Sequence, residues 1–221
     1  MSAVPTFVPT SEAAFIAGLS DRDMNRVVDE HILPDVLVQS INGRSFARLG
    51  AAFACFYFNT EQQFVANLRR EILRELTLRL EMRADKDLVF DLAPMPRDLD
   101  WCVEVPNARI DVTAFIRAAL ERVRKVERAN CLVQEDPEVM GGLAVFSGTR
   151  VPIEIVIASL DRGIDKQRMV ASYPFLTDEH IEAARVYTQI HPKRGRPRRI
   201  SERHPNWKVK SSRVVRPAAK A

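Results

Sequence analysis

Arg22, Asn25 and Arg26 are spaced three and four residues apart, which on a helix puts all three on one face. Arginine can pair bidentately with guanine and asparagine with adenine, so this triplet near a helix start is suited to reading base edges in a major groove. Arg44 and Arg48, further along the chain, could reach phosphates beside it. Asp21 and Asp23 count against tight DNA contact, because they put negative charge near phosphates. They also suit the first turn of a helix, where the dipole favours acids. A solvated helix face with ordinary charges is the plain alternative.

A second concentration of cations lies at the end of the chain. Of the 33 Lys and Arg, eleven fall in residues 191–221, which contain a single acidic residue, Glu202. The preceding 190 residues keep 22 basic and 28 acidic groups, a net charge of −6 against +10 for the tail. A basic tail on a mildly acidic body points to a polyanionic partner or an acidic protein surface. The tail has too few large apolar residues to build a core, so it is expected to be disordered alone. Arg194-Gly195-Arg196-Pro197 matches the core of an AT-hook, an extended segment for the narrow minor groove of A/T-rich DNA. An arginine such as Arg199 or Arg203, anchored by Trp207, could instead plug a carboxylate-lined nuclease site. An inert solubilising tail is the third reading.

A third motif, MGGLAVFSGTRVP at residues 140–152, raises the question of a phosphate-cradling loop. The spacing from Gly142 to Gly148 is wrong for one, and Arg150 stands where Lys-Thr would be required. Turn chemistry fits better: Gly141-Gly142 turns the chain, LAVFS pairs back on CLVQ, and Pro152 opens a helix at a position where its missing N–H costs nothing.

These residues need elements to hold them. Residues 7–29 read as two short helices. Thr10 or Ser11 caps the first and Gly18 closes it; Ser20 with Asp23 opens the second as a capping box, and Pro34 stops it. Two helices joined by a tight Gly-Leu-Ser turn outline a helix-turn-helix. Asn42-Gly43 is a two-residue hairpin turn, which directly after such a pair would make a wing. Thr60 and Gln63 suggest a capping box for a long helix to about Arg83, with Phe64, Val65, Leu68, Ile72, Leu76 and Leu80 as its apolar stripe. It looks like a packing or dimerisation helix. Residues 84–110 contain three prolines and one or two short strands. Asp111 caps a further helix to about Arg128, with Val112, Phe115, Ile116, Ala119, Val123 and Val126 inward. Beyond the glycine turns, PIEIVIASLDR ends at Gly163, Asp165 caps DKQRMVASY, and Thr177 caps TDEHIEAARVYTQI, a second helix-turn-helix outline.

Residues 131–190, with DPEVMGG, FSGTRVPIEIVIASLDRG and YPFLTDEHIEAA, resemble a small domain of unknown function found in many bacterial antitoxins of the VapB type. Gly142, Gly148, Thr149, Arg150, Pro152 and Gly163 match its signature; Ala144 departs from it, where proline is common. FVPTSEAAFIAGLSDRDMNRVVDEHILP resembles, less specifically, the helix-turn-helix that precedes this domain in some antitoxins. The resemblance implies a fold and a role beside a PIN-like ribonuclease toxin. It assigns no toxin contact.

The expected fold is therefore mostly α with small β-hairpins: two helix-turn-helix-like domains joined by long helices, and a disordered basic tail. The expected parts are a helix-turn-helix with a hairpin wing (1–58), linking or dimerisation helices with a short irregular β segment (59–128), an antitoxin-associated helix-turn-helix-like domain (129–190) and the tail (191–221). The expected function is that of a cytoplasmic type II antitoxin, a homodimer that neutralises a PIN-like ribonuclease and represses its own operator. A stand-alone winged-helix regulator without a toxin partner is the alternative. No membrane span, secretory signal or small-molecule substrate is expected. His31, His180, His191 and His204 share no ligand spacing with Cys55, Cys102 and Cys131, so no metal, cofactor or catalytic group is assigned. The three cysteines are expected to be buried, reduced thiols.

Overall fold

Strands of two to four residues cannot carry a core, so in this protein the burial falls on helices. The computed structural model describes residues 7–40, 43–93, 99–106 and 108–192. The fold is mostly helical with small antiparallel strand pairs, as the sequence predicts. No helix among the described residues is long and apolar enough to cross a membrane.

The chain begins with β1 (Phe7–Pro9), α1 (Thr10–Ala17) and α2 (Asp21–Asp29). Gly18 closes α1 at φ +67°, and its N–H reaches the carbonyls of Ala14 and Phe15. Ser20 caps α2 by accepting from the Asp23 N–H. Neither Thr10 nor Ser11 caps α1; the position before the helix is Pro9. Their hydroxyls are used for tertiary contacts instead, Thr10 donating to the Arg44 carbonyl at 3.4 Å and Ser11 to the Ile190 carbonyl at 2.6 Å. α2 ends at Asp29, before Pro34 can stop it, with His31 at φ +48°.

A single 3-10 turn (Asp35–Leu37) leads to β2 (Val38–Gln39) and β3 (Ser45–Ala47), which with β1 make a sheet of order β1-β3-β2. Pairing runs from Val38↔Phe46 to Gln39↔Ser45, so the tip spans residues 40–44 and is longer than a two-residue turn. Gly43 lies in it at φ +120°; Asn42 lies outside the described residues.

The segment RLGAAFACFYFN then forms a helix, α3 (Arg48–Asn59), buried from Leu49 to Tyr57. A helix that is apolar all round belongs at the centre of a fold, and α3 packs on both α1 and α6 (Thr113–Leu132). Thr60 is not the start of the next helix. Its hydroxyl donates to the Phe56 carbonyl and closes α3, and α4 begins later, at Ala66, and runs to Glu81. Ile72, Leu73, Leu76 and Leu80 face inward, whereas Val65 is exposed. α5 (Lys86–Phe90) and the hairpin β4 (Cys102–Val105) with β5 (Ala108–Asp111) precede α6. Asp111 accepts from the Thr113 N–H at the start of α6, and the helix runs past Arg128 to Leu132.

The final part comprises β6 (Val133–Glu135), β7 (Ala144–Phe146), α7 (Ile153–Asp161), α8 (Lys166–Ser172) and α9 (Asp178–Ile190). β6 pairs with β7 antiparallel, Val133 opposite Phe146. Asp165 and Thr177 cap α8 and α9 through the N–H groups of Gln167 and His180. One apolar core runs from Val8 to Ile190, because α6 lies against α1, α3 and α9. Of the three cysteines, all free, only Cys55 is buried; Cys131 is exposed and Cys102 half-buried. Burial pushes the Cys55 thiol pKa up, against the lowering effect of Arg122.

Candidate nucleic-acid interface

α1, the Gly18-Leu19-Ser20 turn and α2 place one helix over another, and the β1-β3-β2 sheet sets a hairpin beside α2. The chain order is helix, turn, helix and hairpin, the β2-β3 hairpin standing where a wing is expected. Met24 and Val27 fix α2 to the core, and Ile32 does the same just past its end. The outer face carries Asp21, Arg22, Arg26 and Asp29 exposed, with Asn25 half-buried.

The nominated side chains have different surroundings. Arg22 is exposed and forms no ion pair among the described residues. Arg26 donates from Nε to Glu30 at 2.9 Å, lies 3.8 Å from Asp23, and sits over the Phe58 ring at 5.2 Å. Arg44 reaches from the wing to α2. Its Nη1 donates to the Asn25 carbonyl (3.1 Å) and Oδ1 (3.0 Å), and its Nη2 to Asp29 Oδ1 (2.5 Å). The wing is thereby tied to the middle and end of α2. Arg48 has turned inward. Its side chain is 13% exposed and faces Glu127 at 3.0 Å, Glu12 at 3.7 Å and Asp91 at 4.0 Å, which joins α3 to α1 and α6 rather than pointing to solvent. Burial raises the Glu12 carboxyl above its ordinary pKa, although Arg48 and His191 pull it down. Arg194, Gly195, Arg196, Pro197, Arg199, Arg203 and Trp207 lie outside the described residues.

A cluster beside α2 has no signature in the sequence. Arg69 and Arg70, at the start of α4, approach the Tyr57 ring at 4.1 and 5.8 Å. Arg70 also donates to the Glu30 carbonyl at the end of α2, 3.4 Å away. The signal available was an Arg-Arg pair without an acidic residue three or four positions before it, but nothing in the sequence aims that pair at α2.

The glycine-rich stretch is turn chemistry. Amides that would have to converge on a phosphate are already committed, Gly142 to the Val139 carbonyl, Ser147 to Leu132 and Thr149 to Phe146. Gly141 and Gly142 turn the chain at φ +67° and +79°. On the far side, charged pairs bind α6 to α9, Arg128 to Glu179 and Lys125 to Glu182. An open groove lined by Glu135, Ile153, Tyr187 and His191 runs beside α9, with Tyr187 and His191 stacked at 4.2 Å. Among the described residues no three His, Cys, Asp or Glu side chains gather to hold a metal.

Residues 133–188 match a family described as a protein of unknown function, DUF433. The chain is 35% identical over 198 residues to the uncharacterized protein y4eO of Sinorhizobium fredii (strain NBRC 101917 / NGR234). The match covers 90% of this chain and 87% of that relative. No solved structure matches. The chain belongs to the same family as y4eO and contains a DUF433 domain at residues 133–188.

Proposed function

We propose that this member of the y4eO family is a DNA-binding antitoxin of a type II toxin–antitoxin system. The observation that carries the reading is the α1-turn-α2 pair with its wing, built into one core with the DUF433 domain. In this account α2 enters the major groove, Arg22 and Asn25 meet base edges, and Arg44 holds the wing beside them. The DUF433 domain and the basic tail engage a PIN-like ribonuclease, whose metal-binding carboxylates suit an arginine plug from Arg199 or Arg203 with Trp207 as anchor. The protein acts by binding, without catalysis or cofactor. It works as a homodimer, since operator half-sites call for a two-fold reader; α4, with Leu78 exposed on it and Met82 exposed just past its end, is the candidate dimer helix.

A stand-alone winged-helix regulator is the second reading. One observation favours it: helix, turn, helix and hairpin are formed within residues 7–59, a unit that could bind DNA without any toxin partner.

The test is nuclease footprinting of the DNA upstream of the protein's own gene, with the full chain and with Arg22→Ala/Arg26→Ala. A protected site lost in the double variant supports the reading. Protection that is identical in both proteins removes α2 from the reader's role.

A further inference from the structure

The acidic balance of α2 poses a problem for a helix in a groove. Asp21, Asp23, Asp29 and Glu30 outnumber Arg22 and Arg26. Arg26 is already held by Asp23 and Glu30, and Arg44 by Asp29. A helix lying between two rows of phosphates needs cations at its margins. On α4, Arg69, Arg70 and Arg74 form no ion pair among the described residues. Glu75 on the same helix is taken by Arg79, and Glu71 is exposed.

Two of these arginines belong to a built corner. Tyr57 and Phe58, near the end of α3, meet edge to face with centroids 5.4 Å apart. Arg69 sits over Tyr57 and donates to its carbonyl; it is 8% exposed, and its Nε has no partner. Arg70 approaches the same ring and the end of α2, and its Nε is also buried without a partner. Arg26 lies over the neighbouring Phe58 ring. Three guanidiniums therefore gather around two rings, and only Arg26 has carboxylates. Contact with a ring face replaces part of a cation's hydration. Arg69 is buried and Arg70 half-buried; two like charges against one ring repel, and the buried one without a counter-charge is costly. An anion from outside would relieve both.

We infer that Arg70, backed by Arg69 and Tyr57, is a phosphate-contact site for the DNA backbone at the end of α2. Arg70 touches the phosphate. Arg69 is a positioning residue that holds Tyr57 and adds positive field behind it. The inference rests on the DNA-binding reading and deepens it, because it supplies the backbone cations that α2 lacks.

The test uses the full chain, so that the basic tail contributes equally throughout. Binding to the upstream duplex and to a random duplex is followed by fluorescence anisotropy across a range of salt. Arg70→Ala and Arg70→Gln should lower the slope of log affinity against log salt by about 0.9, the value for one phosphate contact. The loss should be equal on both duplexes, leaving their affinity ratio unchanged. Arg70→Lys should restore most of the slope, and Arg162→Ala, a cation beyond α7, should not alter it. Melting followed by circular dichroism checks that each variant is folded. An unchanged slope in folded Arg70→Ala, with wild-type binding intact, overturns the site and leaves the DNA reading standing. An equal loss in the Lys and Ala variants also overturns it, since charge would not be the cause. A wild type that binds neither duplex overturns both.

Discussion

The Arg44 guanidinium on the wing is bonded to the Asp29 carboxylate at the end of α2, with Nη2 and Oδ1 2.5 Å apart. Through the same group the wing also holds the carbonyl and the side chain of Asn25. A hairpin paired over only two residue positions is thus fixed against the helix it flanks.

Arg44→Ala should therefore free the wing with little effect on global stability. Both side chains of the ion pair are more than a third exposed, and exposed pairs contribute roughly 0–1 kcal/mol. Hydrogen exchange should accelerate in residues 38–47 while the urea midpoint hardly moves. A loss of several kcal/mol would show that Arg44 is part of the core's support.

Arg22 and Arg26 should separate in function. Arg22 is without an ion pair and is free for a base, so Arg22→Ala should reduce discrimination between operator and random DNA by about 1–3 kcal/mol. Arg26 is shared between Glu30, Asp23 and Phe58, and its replacement should weaken both duplexes alike. Competition binding against the two duplexes distinguishes these outcomes.

How much of this was legible in the sequence depended on distance along the chain. The caps at Ser20, Asp165 and Thr177 each concern a residue and an N–H two or three positions away, and all three are present as read. Thr60 shows the limit of the same rule. It has the capping-box pattern, but its hydroxyl turns back to Phe56 because the preceding apolar segment is itself a helix. Burial on every side erases the 3.6-residue period, so that helix has no periodic signature in the sequence. Arg44 with Asn25, Arg48 with Glu12, and Arg70 with Glu30 are pairs between separate elements, and no local pattern announces them.

Glu12 yields a pH prediction. Burial holds its carboxyl above the ordinary value in the folded protein, so between the unfolded and folded pKa the folded state binds more protons. Its contribution to stability is present below the unfolded carboxylate pKa and is lost as pH rises through the folded one. Glu12→Gln, which cannot ionise, should match wild type near pH 4 and be more stable at pH 7.5. Urea midpoints at the two pH values test this; a variant less stable than wild type at pH 7.5 would contradict it.

Gly18 is needed for its conformation, and a side chain there would also displace the Arg122 guanidinium. At φ +67° an L side chain is strained, and an added Cβ would lie 2.7 Å from the Arg122 guanidinium, which donates to the Ile16 carbonyl. Gly163 has φ +83° but open space around it. Gly163→Ala should cost about 1 kcal/mol, and Gly18→Ala at least as much, with any excess measuring how firmly the Arg122 guanidinium is held. Paired thermal melts of the two variants give the difference.

One chain that both reads DNA and silences a nuclease should be recovered by co-expressing the tagged full chain with the product of the adjoining gene. The purified material would be sized, assayed for ribonuclease activity, and presented with the upstream duplex. A stable complex with the ribonuclease activity suppressed is expected, one that retains the duplex and loses it when Arg22 and Arg26 are replaced by alanine. A full chain that binds the duplex but retains no nuclease would instead be a stand-alone regulator, not an antitoxin.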